Sequence, residues 1–105
     1  MTTPQRRNRN RGKAAERAIA KMLGGKRIGT MGEEDVMHPV LSIEVKSRQS
    51  FVGEGWLKQA EANAPGERIA AVVVHIKGQP FDKSMVLLRI TEFMELAELD
   101  YREDG

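Results

Sequence analysis

The sequence predicts an α/β protein in which a compact mixed β-sheet is flanked by helices. Three patterns point to this class. Apolar residues recur at helical spacing from Lys13 to Leu23, strand-like alternation runs from Val40 to Ser47, and a nearly continuous apolar run extends from Ile69 to Ile76. The predicted order of elements is α, β, β, β, α, β, β, α. A chain of 105 residues has room for one domain with a single core.

The first helix is followed by a predicted hairpin. Apolar side chains face one side of the segment from Lys13 to Leu23, and the pair Gly24-Gly25 supplies a stop. Two short extended segments, residues 26–29 and 35–38, are separated by a glycine-containing loop. We predict that these two segments pair with each other.

The strand predicted for residues 40–47 has two unlike faces. Because side chains alternate across a strand, one face carries apolar residues and the other carries polar residues. The apolar face consists of Leu41, Ile43 and Val45, and the polar face consists of Ser42, Glu44 and Lys46. Glu44 and Lys46 therefore project side by side from the same face.

The second half of the chain predicts a helix, two strands and a last helix. The helix covers residues 54–64. The apolar run of residues 69–76 predicts a central strand that is covered on both faces. Residues 85–90 form the other strand, and Thr91 is expected to cap a helix that runs to about Leu99.

The basic residues at the start of the chain favour a nucleic-acid partner. The net charge is only +2, but residues 1–13 carry no acidic side chain. Their basic residues are Arg6, Arg7, Arg9, Arg11 and Lys13. Such a cluster gains affinity for nucleic acid by releasing condensed counterions. We predict a flexible basic arm over residues 1–11 and a single domain over residues 12–105; the alternative for the arm is a solvated terminus without a partner.

Composition also predicts where the protein works. The chain has no cysteine, which excludes a disulfide framework and a thiolate metal site. Residues 1–11 contain no apolar stretch that resembles a signal peptide, and the apolar residues are too evenly interrupted for a membrane span. These features predict an intracellular, cytoplasmic protein that does not enter a membrane.

Asp35, Glu44 and Lys46 form a candidate catalytic group. Glu44 beside Lys46 places a hard metal ligand next to a positive charge that can approach an attacking water or a phosphate oxygen. Asp35 begins the preceding strand, so its carboxylate reaches Glu44 if the two strands pair. Two carboxylates, a main-chain carbonyl and a substrate phosphate would then complete the ligand shell of Mg²⁺. A Glu-x-Lys sequence alone is more often a solvent-exposed ion pair.

Glu16 is a further candidate, on the first helix. It lies at the flank of the apolar stripe and can face the sheet. There it would either accept a hydrogen bond from a metal-bound water or support a second metal ion, as two-metal phosphodiester cleavage requires. The alternative is an ordinary surface carboxylate that pairs with Lys13, Arg17 or Lys21.

These residues together resemble the PD-(D/E)XK nuclease superfamily. Its pattern is a helix with a glutamate, a glycine loop, an aspartate at the start of a strand, and Glu-x-Lys in the next strand. Three segments are similar to the archaeal-type Holliday junction resolvases, which also occur in phages: residues 11–17, 27–30 and 43–48. The resemblance extends from Arg11 to about Ile90 and implies a restriction-endonuclease-like fold.

The resemblance implies a homodimeric, Mg²⁺-dependent endodeoxyribonuclease that resolves four-way DNA junctions in recombination and repair, with Mn²⁺ able to replace Mg²⁺. It assigns Asp35, Glu44 and the Val45 carbonyl to the metal. Lys46 is implied to act on the nucleophilic water or on the charge of the transition state. Glu16 is implied to be the helix carboxylate that acts on the metal directly or through water.

The resemblance also implies supporting roles. Thr30 stands in place of the catalytic-loop serine of the archaeal enzymes, and Glu34 stands where the family commonly has proline. Gln59 resembles a glutamine that many relatives place near the site. The implied DNA contacts are Arg6, Arg7, Arg9, Arg11, Lys13, Lys26, Arg27, Arg48 and Gln59. The alternatives are another repair or restriction-type nuclease of this superfamily, or a DNA-binding accessory protein without catalysis.

Overall fold

The structure is a computed structural model that describes the backbone of residues 4–28 and 35–99, and the side chains of residues 11–28 and 35–99. Within these residues the chain forms three helices and two small antiparallel sheets. The predicted α/β class is therefore confirmed.

The chain divides into two compact units, residues 1–48 with 98–105 and residues 49–97. Each unit contains one antiparallel sheet, whereas the sequence predicts one mixed sheet. All described pairings join consecutive strands, as short antiparallel connections allow, whereas a parallel pair requires a crossover. The single domain over residues 12–105 stays a prediction about how the units are joined.

Helix α1 extends over Pro4–Leu23 and so begins well before the predicted start at Lys13. The predicted start was wrong because the basic segment itself suits a helix. Proline is favoured at the first helical position, and arginine and glutamine have high helix propensity. Helix α1 therefore includes the backbone of residues 4–11, the segment for which the sequence predicts a flexible arm.

No helix in the described part of the chain has the length and apolar character needed to cross a membrane.

The C-terminal end of α1 requires two glycines for different reasons. Gly24 has a φ of 77°, a left-handed conformation that glycine adopts without steric cost. The Gly25 N–H then donates to the Ala20 carbonyl at 2.8 Å, which completes a Schellman motif. A Cβ on Gly25 would lie 2.6 Å from the Met37 carbonyl oxygen, so the residue must be small there. The predicted stop at Gly24-Gly25 is confirmed.

The first unit contains a sheet of three short strands. They are β1 (Lys26–Arg27), β2 (Val36–Met37) and β3 (Ser42–Ile43), in the antiparallel order β1-β2-β3. The predicted pairing of the two segments after α1 is confirmed. Val36 is completely buried on the central strand, and Ala20 and Leu23 of α1 are buried as well. The core of this unit therefore fixes β2 against α1.

The strand predicted for residues 40–47 has fewer residues paired with its neighbour than expected. Only Ser42–Ile43 pair as β3. The burial of side chains nevertheless alternates from residue 41 to residue 48, with half-buried residues at odd positions and exposed residues at even positions. The predicted separation of the two faces is therefore confirmed, and Glu44 and Lys46 lie on the exposed face.

The second unit contains the remaining predicted elements. They are α2 (Val52–Asn63), β4 (Val72–Val74), a 3₁₀ turn (Phe81–Lys83) that was not predicted, β5 (Met85–Leu87) and α3 (Ile90–Leu96). The described pairing of β4 is with β5 only, and the Val73 side chain is 67% exposed. The prediction that this strand is covered on both faces was therefore wrong.

The predicted cap of the last helix was also wrong. Helix α3 has Arg89 at its N-cap position, with no hydrogen bond from the side chain to the helix, and Thr91 lies inside the helix. The Arg89 guanidinium binds two glutamates of α2 instead. The side chain at the helix start therefore contacts α2 and does not cap α3, a partner that a local capping rule does not include.

Candidate active site

A cleft of about 510 Å³ lies in the first unit. Its described lining residues are Arg11, Gly12, Glu16, Asp35, Glu44, Val45, Lys46, Ser47 and Arg48. The cleft thus brings together four side chains that the sequence predicts as catalytic, Glu16, Asp35, Glu44 and Lys46. Three of its side chains are basic and three are acidic, so their formal charges balance.

Asp35 is positioned by main-chain hydrogen bonds on both sides. Its N–H donates to the Ile43 carbonyl at 2.9 Å, and its carbonyl accepts from the Ile28 N–H at 3.2 Å. These bonds continue the sheet by one residue beyond Val36, which pairs with Ile43. The sheet therefore fixes the main chain of Asp35, and with it the point from which the side chain extends, as the sequence predicts.

The Asp35 carboxylate is bound to the chain segment that carries Glu44. Its Oδ2 accepts a hydrogen bond from the Val45 N–H at 2.6 Å. This bond is the main reason that the pKa of Asp35 lies below its ordinary value, because it stabilises the ionised form. A proton shared with the neighbouring Glu44 carboxyl group, and the charges of Lys46 and Arg27, lower it further, while burial acts in the opposite direction. The carboxyl groups of residues 35 and 44 therefore adjoin on one side of the sheet.

Glu44 and Lys46 form the predicted neighbouring pair. The Lys46 Nζ lies 3.5 Å from the Glu44 Oε2. Both side chains are more than half exposed, at 63% for lysine and 60% for glutamate. Exposed pairs of this kind contribute little to stability. The arrangement therefore leaves the Glu44 carboxylate able to bind a ligand that enters the cleft.

Glu16 is held by Arg27. The Arg27 Nε donates to the Glu16 Oε1 at 2.9 Å, and the two side chains are only 19% and 24% exposed for glutamate and arginine. The alternative partners Lys13, Arg17 and Lys21 were therefore wrong, and Arg27, an expected phosphate contact, is bound to a carboxylate. Spacing rules within one helix cannot identify a partner on the following strand.

The remaining predicted DNA contacts are dispersed. Arg11 and Arg48 line the cleft, and Arg48 also donates to the Ser47 carbonyl at 3.2 Å. Lys13 on α1 and Lys26 on β1 are exposed. Gln59 is exposed on α2 and belongs to the second unit.

Four of the predicted site residues have side chains that lie outside the described part of the structure. The backbone of Arg6, Arg7 and Arg9 belongs to α1, and their side chains lie outside the described residues. Thr30 lies outside the described residues altogether. Their predicted roles in DNA binding and catalysis stay predictions.

The adjoining carboxylates of Asp35 and Glu44 suit a hard divalent cation. No group of three or more acidic, histidine or cysteine side chains that could hold one ion is found among the described residues, and Glu16 is engaged by Arg27. Mg²⁺ is commonly bound by one or two carboxylates, with waters and substrate phosphates filling the other positions. A cation between two adjacent carboxylates also removes their mutual repulsion. The pair and the neighbouring main chain therefore fit Mg²⁺ without a third acidic ligand.

The sequence reasoning missed two lining residues, Gly12 and Ser47. The sequence predicts a helix that begins at Lys13, so Gly12 lies before the predicted start, where a glycine gives no functional signal. With α1 beginning at Pro4, it lies inside the helix and four residues before Glu16, on the same face. A glycine at this spacing from a candidate carboxylate was the available signal.

The candidate active site is an open, charged cleft that contains an ammonium group and two adjoining carboxylates. Comparison of the chain with known protein families, with curated proteins and with solved structures finds no match. The function must therefore be argued from the geometry of the cleft and from the motifs in the sequence.

Proposed function

We propose that this protein is a metal-dependent DNA endonuclease that hydrolyses phosphodiester bonds at four-way junctions. The main supporting observation is the 2.6 Å hydrogen bond between the Asp35 carboxylate and the Val45 N–H. It joins the aspartate to the segment that carries Glu44 and Lys46, so the three predicted groups share one cleft.

In this proposal Asp35 and Glu44 bind Mg²⁺, or Mn²⁺ in its place. In a paired extended residue the N–H and the C=O point to the same neighbour. Because the Val45 N–H points to Asp35, we expect its carbonyl on the same side, where it would be a third oxygen ligand. When bound, Mg²⁺ supplies Lewis-acid polarisation and lowers the pKa of water.

The charges in the cleft make substrate binding depend on the cation. The basic side chains Arg11, Lys46 and Arg48 balance the three carboxylates, so the protein alone gives a phosphodiester little net attraction. One divalent cation would make the cleft net positive. Metal and substrate are therefore expected to bind cooperatively.

The protein side chains have separate roles in the proposed hydrolysis. Lys46 donates hydrogen bonds to the attacking water or to a phosphate oxygen on which negative charge develops. Glu16, oriented by Arg27, accepts a hydrogen bond from water at the α1 side of the cleft. Arg11 and Arg48 bind the phosphates on either side of the cleaved bond.

The four-way junction is the more specific part of the proposal. It is supported by the similarity of residues 11–17, 27–30 and 43–48 to the junction resolvases. A homodimer would place two sites on two strands of a junction through two-fold symmetry. We further propose a PD-(D/E)XK restriction-endonuclease-like fold and a role in recombination and repair in the cytoplasm.

The proposal is tested with a synthetic four-way junction and a linear duplex of the same sequence, each with Mg²⁺. The Asp35→Ala variant is compared with the wild type and with Asp82→Ala, which removes an exposed aspartate in the second unit. We expect the wild type and Asp82→Ala to cut the junction. The Asp35→Ala variant should be slower by roughly 10³-fold or more, because a metal ligand is lost.

Other outcomes contradict separate parts of the proposal. If the wild type leaves junctions intact and cuts only linear DNA, a different nuclease remains. If neither Mg²⁺ nor Mn²⁺ yields any product, and Glu44→Ala binds DNA as well as the wild type, the protein is a DNA-binding accessory.

A further inference from the structure

One face of α1 changes in character along its length. Near the C-terminal end this face carries Ala20 and Leu23, which are buried. About one turn earlier it carries Glu16, which binds Arg27. Four residues before Glu16 it carries Gly12, which lines the cleft. This face of the helix therefore passes from the core at Ala20 to the candidate active site, which it lines at Glu16 and Gly12.

A glycine at this position has no explanation in the helix itself. Gly12 lies inside a helix of 20 residues, where glycine is less favourable than alanine because it loses more backbone entropy. Its φ is not among the positive values that Gly24, Gly66 and Gly78 adopt. No atom of the described residues lies within 4 Å of the position that a Cβ would take. Neither backbone conformation nor packing against the described part of the chain requires glycine.

We propose that Gly12 is a positioning residue that keeps the cleft open beside Glu16, so that the sugar–phosphate backbone of DNA lies directly against α1. This inference rests on the proposed nuclease function and deepens it, because it assigns a path to the substrate. Glycine allows a ligand to approach a helix backbone more closely than any other residue does. Arg11 and Arg48 line the same cleft and supply positive charge along that path.

Gly55 provides a matched control in the second unit. It also lies inside a helix, α2, and no atom of the described residues lies within 4 Å of its would-be Cβ. It is not among the residues that line the cleft. Substitution at Gly55 therefore reproduces the effect on helix propensity without adding a side chain to the cleft.

The test uses the full chain with four substitutions, Gly12→Ala, Gly12→Leu, Gly55→Ala and Gly55→Leu. Thermal unfolding gives Tm, and junction cleavage with Mg²⁺ gives kcat and KM. Anisotropy of a labelled junction, with Ca²⁺ in place of Mg²⁺ as the divalent cation, gives Kd. Both alanine substitutions should raise Tm, by about 2–8 °C, because alanine is the better helix former.

Only the Gly12 substitutions should weaken the binding of DNA. We expect KM and Kd to rise with side-chain size, several-fold for Gly12→Ala and roughly 10–100-fold for Gly12→Leu, because the added side chain takes up the space in which the DNA backbone lies against α1. At saturating DNA, kcat should stay within about twofold of wild type, as expected for loss of uniform binding. Both Gly55 variants should keep the wild-type KM and Kd.

Three results would overturn the inference. If Gly12→Leu leaves KM and Kd unchanged while the wild type cuts junctions, the substrate path is wrong and the nuclease function stands. If Gly12→Ala lowers Tm, the position is packed and not open. If the wild type neither binds nor cuts DNA, the proposed function fails, and the inference fails with it.

Discussion

The two units of the protein each contain a cluster of charged side chains, and the clusters differ in how their carboxylates are bound. The Arg89 cluster of the second unit consists of Arg89, Glu54 and Glu61. Arg89 donates from Nε and Nη2 to the two carboxylate oxygens of Glu61, at 2.9 and 3.1 Å, and from Nη1 to Glu54 at 3.1 Å. The guanidinium thus forms the bidentate geometry that makes an ion pair specific, and it joins α2 to the start of α3.

The cleft of the first unit binds its carboxylates in another way. Asp35 uses one oxygen to accept the Val45 N–H, and Lys46 lies 3.5 Å from Glu44. The cleft is also larger, at about 510 Å³, than the cavity of about 140 Å³ beside the Arg89 cluster. A main-chain amide thus fixes the aspartate and leaves oxygen atoms for a ligand, whereas a bidentate guanidinium occupies both oxygens of its partner. We therefore expect chemistry in the first cluster and a structural role for the second.

Matched substitutions of glutamate by glutamine should give the largest difference between the two clusters. Glu44→Gln should slow junction cleavage by roughly 10²–10³-fold, because an amide is a weak ligand for Mg²⁺, and should leave Tm close to wild type. Glu61→Gln should leave kcat/KM within about twofold and lower Tm by a few degrees, because it removes the charge that faces Arg89. Cleavage assays and thermal unfolding of both variants measure these effects.

The comparison fails if the two substitutions act alike. An equally large loss of cleavage by Glu61→Gln, measured at a temperature where the variant is folded, would assign the Arg89 cluster to the active site. A large loss of Tm for Glu44→Gln would make the cleft carboxylate a structural one.

The main features of the cleft could be predicted because they follow from local rules. Alternation along a strand fixes the faces of Glu44 and Lys46, and antiparallel pairing of neighbouring segments brings Asp35 to the same place. The stop of α1 at Gly24-Gly25 follows from backbone conformation alone. These predictions depend on residues that are close in sequence.

The features that could not be predicted depend on partners that are distant in sequence. The Arg89 guanidinium reaches Glu61 across 28 positions, and no spacing pattern identifies this pair. Arg27 likewise binds Glu16 across 11 positions. The apolar composition of β4 predicts burial, but composition does not determine how many strands pair with it. Side-chain partners and strand neighbours are set by tertiary contacts.

The Glu16 and Arg27 pair, which is more buried than either cluster's ion pairs, gives the next prediction. Arg27→Met should lower the free energy of unfolding by about 1–2 kcal/mol, because it leaves a half-buried carboxylate without its donor. Junction cleavage should fall roughly tenfold, since Glu16 loses its orientation. Arg17→Met, which removes an exposed arginine from α1, is the control and should change neither value appreciably.

A double-mutant cycle decides whether the pair acts as one unit. If Glu16→Gln combined with Arg27→Met costs no more stability than Arg27→Met alone, the two side chains are coupled. Additive losses would show that Arg27 acts on something other than Glu16, and a phosphate contact would then be its role.

The smallest predicted effect concerns how pH and salt act on the two clusters. The pKa of Asp35 and the pKa of Glu61 both lie below their ordinary values of 3.8 and 4.5. A carboxyl group with a lowered pKa in the folded state stabilises the fold above its ordinary pKa, and this contribution is lost as pH falls through the lower, folded value. Acidification should therefore weaken the Arg89 cluster below about pH 4.5 and the Asp35 group below about pH 3.8. Because the two ranges overlap, the pH alone does not distinguish the clusters.

Salt should distinguish them, because the main causes of the two shifts differ. The Glu61 pKa is lowered chiefly by the charged Arg89 side chain, whereas the Asp35 pKa is lowered chiefly by the neutral Val45 N–H. Raising the salt from about 0.1 M to about 1 M shortens the screening length from about 10 Å to about 3 Å. Carboxyl ¹³C NMR titrations at both salt concentrations should show the pKa of Glu61 returning toward 4.5, while that of Asp35 changes less. If Asp35 responds as strongly as Glu61, its carboxylate is held by charges and not by the main chain, and the contrast between the two clusters is lost.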